Sequence, residues 1–138
     1  MSNAWKLPAP GDIVWCLFPE IPDIQPGPKP RPALVMRIER RTDGDVVSVV
    51  YATSKHLDRL ETGEIAITKS KHPAAYELAV LSYDTKFDFK VIVDLPWTNR
   101  YFKAPPHSPH GNTPPKLGTL HATVKRAFAL TYQSASSR

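Results

Sequence analysis

Proline sets the strongest limit on what this chain can fold into. Fifteen of its 138 residues are proline, about one in nine against a usual ~5%. They cluster, with eight in residues 8–32 and five in residues 105–115. Proline has no amide hydrogen to donate and its ring clashes with the preceding helical turn, so no long helix can run through either stretch. Regular structure must therefore lie between the two clusters or after the second. The remaining composition, 41% hydrophobic and 22% charged, excludes wholesale disorder and a coiled-coil rod, and 138 residues suit one domain.

Between the clusters the chain reads as short strands. Residues 12–18, DIVWCLF, form an apolar, β-branched and aromatic run after Pro8, Pro10 and Gly11, the pattern of a buried strand preceded by a turn. Residues 19–30 hold five more prolines and Gly27 and are expected to be a loop. Residues 32–39 and 46–52 read as a hairpin, with Asp43-Gly44 as the turn signal. Residues 55–62 suggest a short helical turn, 63–67 alternate as a half-buried strand, and 90–95 form another strand ending at Pro96. Residues 77–81 are too few to assign by periodicity. After the second proline loop, Leu117, Leu120, Val124, Ala127, Phe128 and Thr131 recur at three- and four-residue steps, which predicts an amphipathic helix over about 119–133. The expected fold is mainly β, a small curled antiparallel barrel over about 11–102. A proline-rich loop over about 103–116 then leads to a C-terminal helix that caps the barrel.

The charges are unevenly distributed. The net charge is +5, yet all 13 acids lie at or before Asp94, so the first 94 residues carry twelve basic against thirteen acidic side chains. Residues 95–138 carry six basic side chains and no carboxylate. Such a segment attracts a polyanion or an acidic protein, and it equally describes a solvated helix and tail. Cys16 is the single cysteine, which excludes an intramolecular disulfide and a cysteine-based zinc knuckle. Lying in an apolar strand, it reads as a buried, inert thiol. No apolar run approaches the ~20 residues of a membrane span, and residues 1–10 lack a signal peptide's hydrophobic segment. The expected location is cytoplasmic, with no membrane partner.

Familiar cofactor motifs are missing: there is no Walker loop, G-x-S-x-G, H-E-x-x-H or dinucleotide fingerprint, and no cofactor is expected. His107 and His110 have a spacing that metal ligands can use, but Pro109 lies between them and no third ligand stands out. They read as an exposed polar loop, without a metal.

The most informative stretch is GPKPRPALV, residues 27–35, a basic loop running straight into a strand. It belongs to a series of segments: GDIVWCLFPE (11–20), PRPALVM (30–36), VVYATS (49–54), VIVDLPWTN (91–99) and PKLGTLHATVKRAF (115–128). In this order they resemble the PemK/MazF family of bacterial toxins over most of the chain. The resemblance implies an SH3-like barrel, usually a homodimer, acting as a sequence-selective endoribonuclease and growth inhibitor that an acidic antitoxin protein neutralises. The family's loop arginine matches Arg31, and its threonine at the end of the third strand matches Thr53.

Two departures bear on the site. Family members commonly carry an acidic residue paired with glutamine, then a glycine, just before that arginine; here Asp23-Ile-Gln25-Pro-Gly27 is followed by an insertion at 28–30. In some members an arginine closely followed by aspartate comes after the D-x-P element, whereas this chain has Trp97 there and Arg100 three residues later. Arg100 could substitute, and Trp97 could stack on a base or pack inside.

The chemistry stands on its own. RNA carries its own nucleophile, the 2′-hydroxyl, so cleavage needs a base for that proton, positive charge on the pentavalent phosphate and an acid for the leaving 5′-oxygen. No metal is obligatory. Arg31, held between Pro30 and Pro32, can donate bidentately to phosphate oxygens. Thr53 and Ser54 offer neutral donors, Glu20 or Asp23 a base, and Lys29 or Arg31 an acid or charge clamp. The expected catalytic set is thus Arg31, Thr53, Asp23 and Glu20. Lys29, Ser54, Lys55, Trp97 and Arg100 are expected to bind single-stranded RNA, and the basic stretch from Arg100 to Arg126 to follow its backbone or receive the antitoxin. An alternative of another class is a catalytically idle or gyrase-directed binding protein on the same fold, since a fold hosts many functions; a general nucleic-acid binder is a third.

Overall fold

Side chains along a strand point alternately to the two faces of its sheet, and in the central strands both faces are apolar. Ile13, Leu34 and Val50 enter one core, while their neighbours Val14, Ala33, Val35 and Val49 enter a second on the opposite face. Burial on both sides is why these segments read as nearly unbroken hydrophobic runs. The computed structural model describes residues 5–20, 25–106 and 113–136. Its elements run β1 (Asp12–Cys16), β2 (Arg31–Glu39), β3 (Val46–Thr53), β4 (Glu64–Ile67), α1 (Pro73–Leu78), β5 (Thr85–Pro96), β6 (Lys116–Thr119) and α2 (Ala122–Ser136).

The strands form one six-stranded antiparallel sheet in the order β4-β5-β3-β2-β1-β6. Register shifts at Ile13/Val14, Val35/Arg37 and Val50/Tyr51 bend it, because irregular pairing of this kind locally kinks and twists a strand pair. The result is a curled half-barrel, mainly β, with a C-terminal helix. Its edges, β4 and β6, are each four residues long, and short edge strands offer little template for unwanted pairing.

Helices α1 and α2 cover one face. Phe128 of α2 meets Phe87 and Phe89 of β5 edge-on, with centroids 5.4 and 6.0 Å apart. On the other face Phe18, Trp97, Tyr101 and Phe102 are buried, with Trp5 and Leu7 packed against them. No helix among the described residues is long and apolar enough to cross a membrane.

Several local expectations are corrected. The strand expected at 90–95 begins at Thr85: Phe87 and Phe89 point inward, and Lys86, just before them, is itself buried in an ion pair with Glu64 at 3.0 Å. Residues 55–62 are turns without a helix, and α1 lies in the segment ahead of β5. Leu117 belongs to β6, so its helical spacing with Leu120 and Val124 was coincidental. Gly118 explains why the strand fits. A Cβ there would collide with the Leu78 carbonyl oxygen and the Ala79 backbone, so only glycine lets the end of α1 lie directly on β6.

Candidate functional site

Arg31 opens β2 and pairs with Cys16 of β1. The loop before it is drawn tightly onto β1: the Gly27 amide donates to the Leu17 carbonyl at 3.2 Å, and a Cβ on Gly27 would run into the Phe18 carbonyl oxygen. Pro30 and Pro32 then fix the backbone on either side of Arg31. The β2–β3 register pairs Leu34 with Val50 and Val35 with Val49, so the start of β2 and the end of β3 lie at the same end of the sheet, and Arg31 and Thr53 line the same cavities there. Among the described residues Arg31 makes no ion pair or side-chain hydrogen bond, which leaves its guanidinium available to a ligand.

Thr53 ends β3, and its Oγ1 accepts a hydrogen bond from the Lys55 amide at 3.1 Å. That contact fixes the hydroxyl and leaves its hydrogen to be donated outward. Thr53 also pairs with Lys86 of β5. The Lys86 ammonium bonds Glu64 Oε1 at 3.0 Å and the Arg59 carbonyl at 3.3 Å. Burial alone would raise the Glu64 carboxyl, but the Glu61 amide and the Lys86 ammonium outweigh it and the net shift is downward. The pair ties β4 to β5 beside the end of β3 that carries Thr53.

Two concavities meet here. One, of about 360 Å³, lies between the start of β2, the end of β3 and the turn after α1; Lys29, Ser54, Trp15, Val80 and Tyr83 line it. The other, of about 500 Å³, opens beneath the β1–β2 loop and is lined by Glu20, Phe18, Tyr51 and Asp88. Arg31, Thr53 and Lys55 line both. These three form a ridge with cationic and hydroxyl groups, with two carboxylates on one side and an aromatic-walled pocket on the other.

Of the residues expected from sequence, Arg31, Thr53, Glu20, Lys29, Ser54 and Lys55 therefore come together. Asp23 lies outside the described residues, as do His107 and His110. Trp97 is placed elsewhere. It is 5% exposed, with its ring centroid 4.6 Å from Phe102 and 5.8 Å from Trp5, and it follows Pro96, which pairs with Val46 at the opposite end of β3 from Thr53. It is a packing residue, so the stacking role is set aside. Arg100 lines neither cavity. Its Nη2 donates to Gln25 Oε1 at 2.9 Å and its guanidinium lies 5.5 Å from the Tyr101 ring centroid, so it braces the β1–β2 loop from outside.

The sequence reading did not find Trp15, Tyr51, Val80, Tyr83 or Asp88. Tyr83 alone left a trace, as an aromatic between polar Ser82 and Asp84. Among the described residues no three His, Cys, Asp or Glu side chains gather as they would around a metal ion. No family model matches the sequence, and no curated protein matches it either.

Proposed function

We propose that this chain is a ribonuclease of the PemK/MazF type, with its half-barrel an SH3-like barrel of that family, cutting single-stranded RNA without a metal cofactor. The observation that carries the reading is the ridge of Arg31, Thr53 and Lys55 with Glu20 beside it. A scissile phosphate on the ridge would accept hydrogen bonds from the Arg31 fork and the Thr53 hydroxyl, with Lys55 and Lys29 adding positive charge. Glu20 takes the 2′-proton, the 2′-oxygen bonds to phosphorus, and the P–O5′ bond breaks. A lysine ammonium or water returns a proton to the departing 5′-oxygen. The products are a 2′,3′-cyclic phosphate and a 5′-hydroxyl. Charge builds on the non-bridging oxygens in the pentavalent state, which is where a fixed guanidinium stabilises most. Under this reading the protein is a cytoplasmic growth inhibitor that works as a homodimer, and an acidic antitoxin segment is drawn to the same cations.

The test is cleavage of a labelled RNA oligonucleotide in EDTA. Wild type should cut, a 2′-deoxy substitution at the cut site should abolish cutting, and Arg31→Ala should lower the rate about 100-fold or more. Thr53→Ala and Glu20→Gln should also slow it. Equal cleavage by wild type and Arg31→Ala would remove the mechanism. RNA bound tightly but left uncut would favour a binding protein on the same fold.

A further inference from the structure

The pocket on the Tyr83 side of the ridge has features that holding a phosphate does not require. Its outer wall is the turn that ends α1, where Tyr83 stands 72% exposed and Val80 53% exposed. The turn is firmly built. The Val80 amide donates to the Glu77 carbonyl and the Leu81 amide to the Tyr76 carbonyl, closing the helix. The Thr85 hydroxyl donates to the Tyr83 carbonyl at 2.8 Å, and the Lys69 amide donates to Asp84 Oδ1 at 2.8 Å. Val80 has φ 56°, in the left-handed region, where a β-branched residue is an outlier. Glycine usually fills that closing position. Strain kept at an exposed position lining a cavity, next to an exposed aromatic on an anchored backbone, is the pattern of a ligand contact rather than of packing.

We infer that this pocket is a nucleobase subsite, in which Tyr83 stacks on the base of the nucleotide adjoining the phosphate held by Arg31. The inference rests on the ribonuclease reading and adds where a base goes. A cavity of about 360 Å³ is at the small end of ligand clefts, which run to roughly 1,000 Å³, and has room for one base. Val80 and Trp15 supply apolar walls, and the Ser54 and Ser82 hydroxyls offer polar contacts to the base edge. Stacking tolerates any base because each has a π-face, so the hydroxyls are the groups available to discriminate.

The test needs no cleavage. Full-length protein is titrated with the four nucleoside 5′-monophosphates and with ribose 5-phosphate, read by NMR shifts of the Val80, Ser82 and Tyr83 amides. At least one monophosphate should bind about tenfold or more tightly than ribose 5-phosphate. Tyr83→Ala should bring it down to the sugar phosphate's level, and Tyr83→Phe should keep the difference. Equal binding of sugar phosphate and nucleotides, or an unchanged affinity in Tyr83→Ala, overturns the subsite even if RNA is cut. Base-dependent, Tyr83-dependent binding without RNA cleavage sustains the subsite and overturns the nuclease.

Discussion

Single residues here carry opposed demands, and Val80 shows it most plainly. A non-glycine residue in the left-handed region costs about 1–2 kcal/mol, and Val80 at φ 56° and 53% exposed recovers little of this by burial. Val80→Gly should stabilise the fold by up to about 1 kcal/mol, seen as a rise of roughly 2–5 °C in thermal melting, while weakening nucleotide binding. A lower melting temperature would mean that the turn is not strained. The same contrast shows how far the site could be read from sequence. Arg31 between two prolines and Thr53 at a strand end were singled out through the PemK/MazF resemblance, and the fold sets both on the ridge. Tyr83, Asp88 and Trp15 were not singled out, because strand pairing and the turn after α1 bring them to the ridge from separate parts of the chain.

At the level of elements, the Glu64–Lys86 pair fastens β4 to β5 next to Thr53, with side chains only 9% and 8% exposed. Because the folded state holds the Glu64 carboxyl below its ordinary range, its contribution is complete above that range and is lost as pH falls through the folded value. Urea midpoints measured from neutral pH to about pH 3 should therefore fall more steeply in wild type than in Glu64→Gln. At neutral pH that variant should be about 3 kcal/mol less stable, because Lys86 keeps a buried charge without its partner. Parallel loss with falling pH in the two proteins would refute this role. The ion pair also explains what was hidden. Strands β1, β2 and β3 were legible because two-sided burial writes itself as hydrophobic runs. The first half of β5 was not, since its buried Lys86 looks like a surface residue until Glu64 is found, and β6 depends on Gly118 touching a distant helix end.

Over the whole molecule, charge order along the chain and charge order in space part company. The acid-free last third is spread around the molecule: Lys116 lies 3.4 Å from Asp12, Arg100 is bonded to Gln25, and Lys125 lines a groove between α2 and β2. The cations of the ridge, Arg31 and Lys55, and Lys29 in the adjoining pocket all come from before Asp94. Three phosphate contacts predict that the logarithm of RNA affinity falls with log salt at a slope of about −2. Lys55→Gln should reduce that slope by about 0.7, and Arg126→Gln, on α2, should leave it unchanged. A larger effect from Arg126→Gln would return the binding surface to the C-terminal helix. One more property follows from the strand partner of Arg31. Cys16 pairs with Arg31 and is fully buried, and that burial drives its thiol far above the ordinary cysteine range. A thiol-directed alkylating agent would therefore leave Cys16 untouched in intact molecules and mark it only where β1 and β2 have come apart.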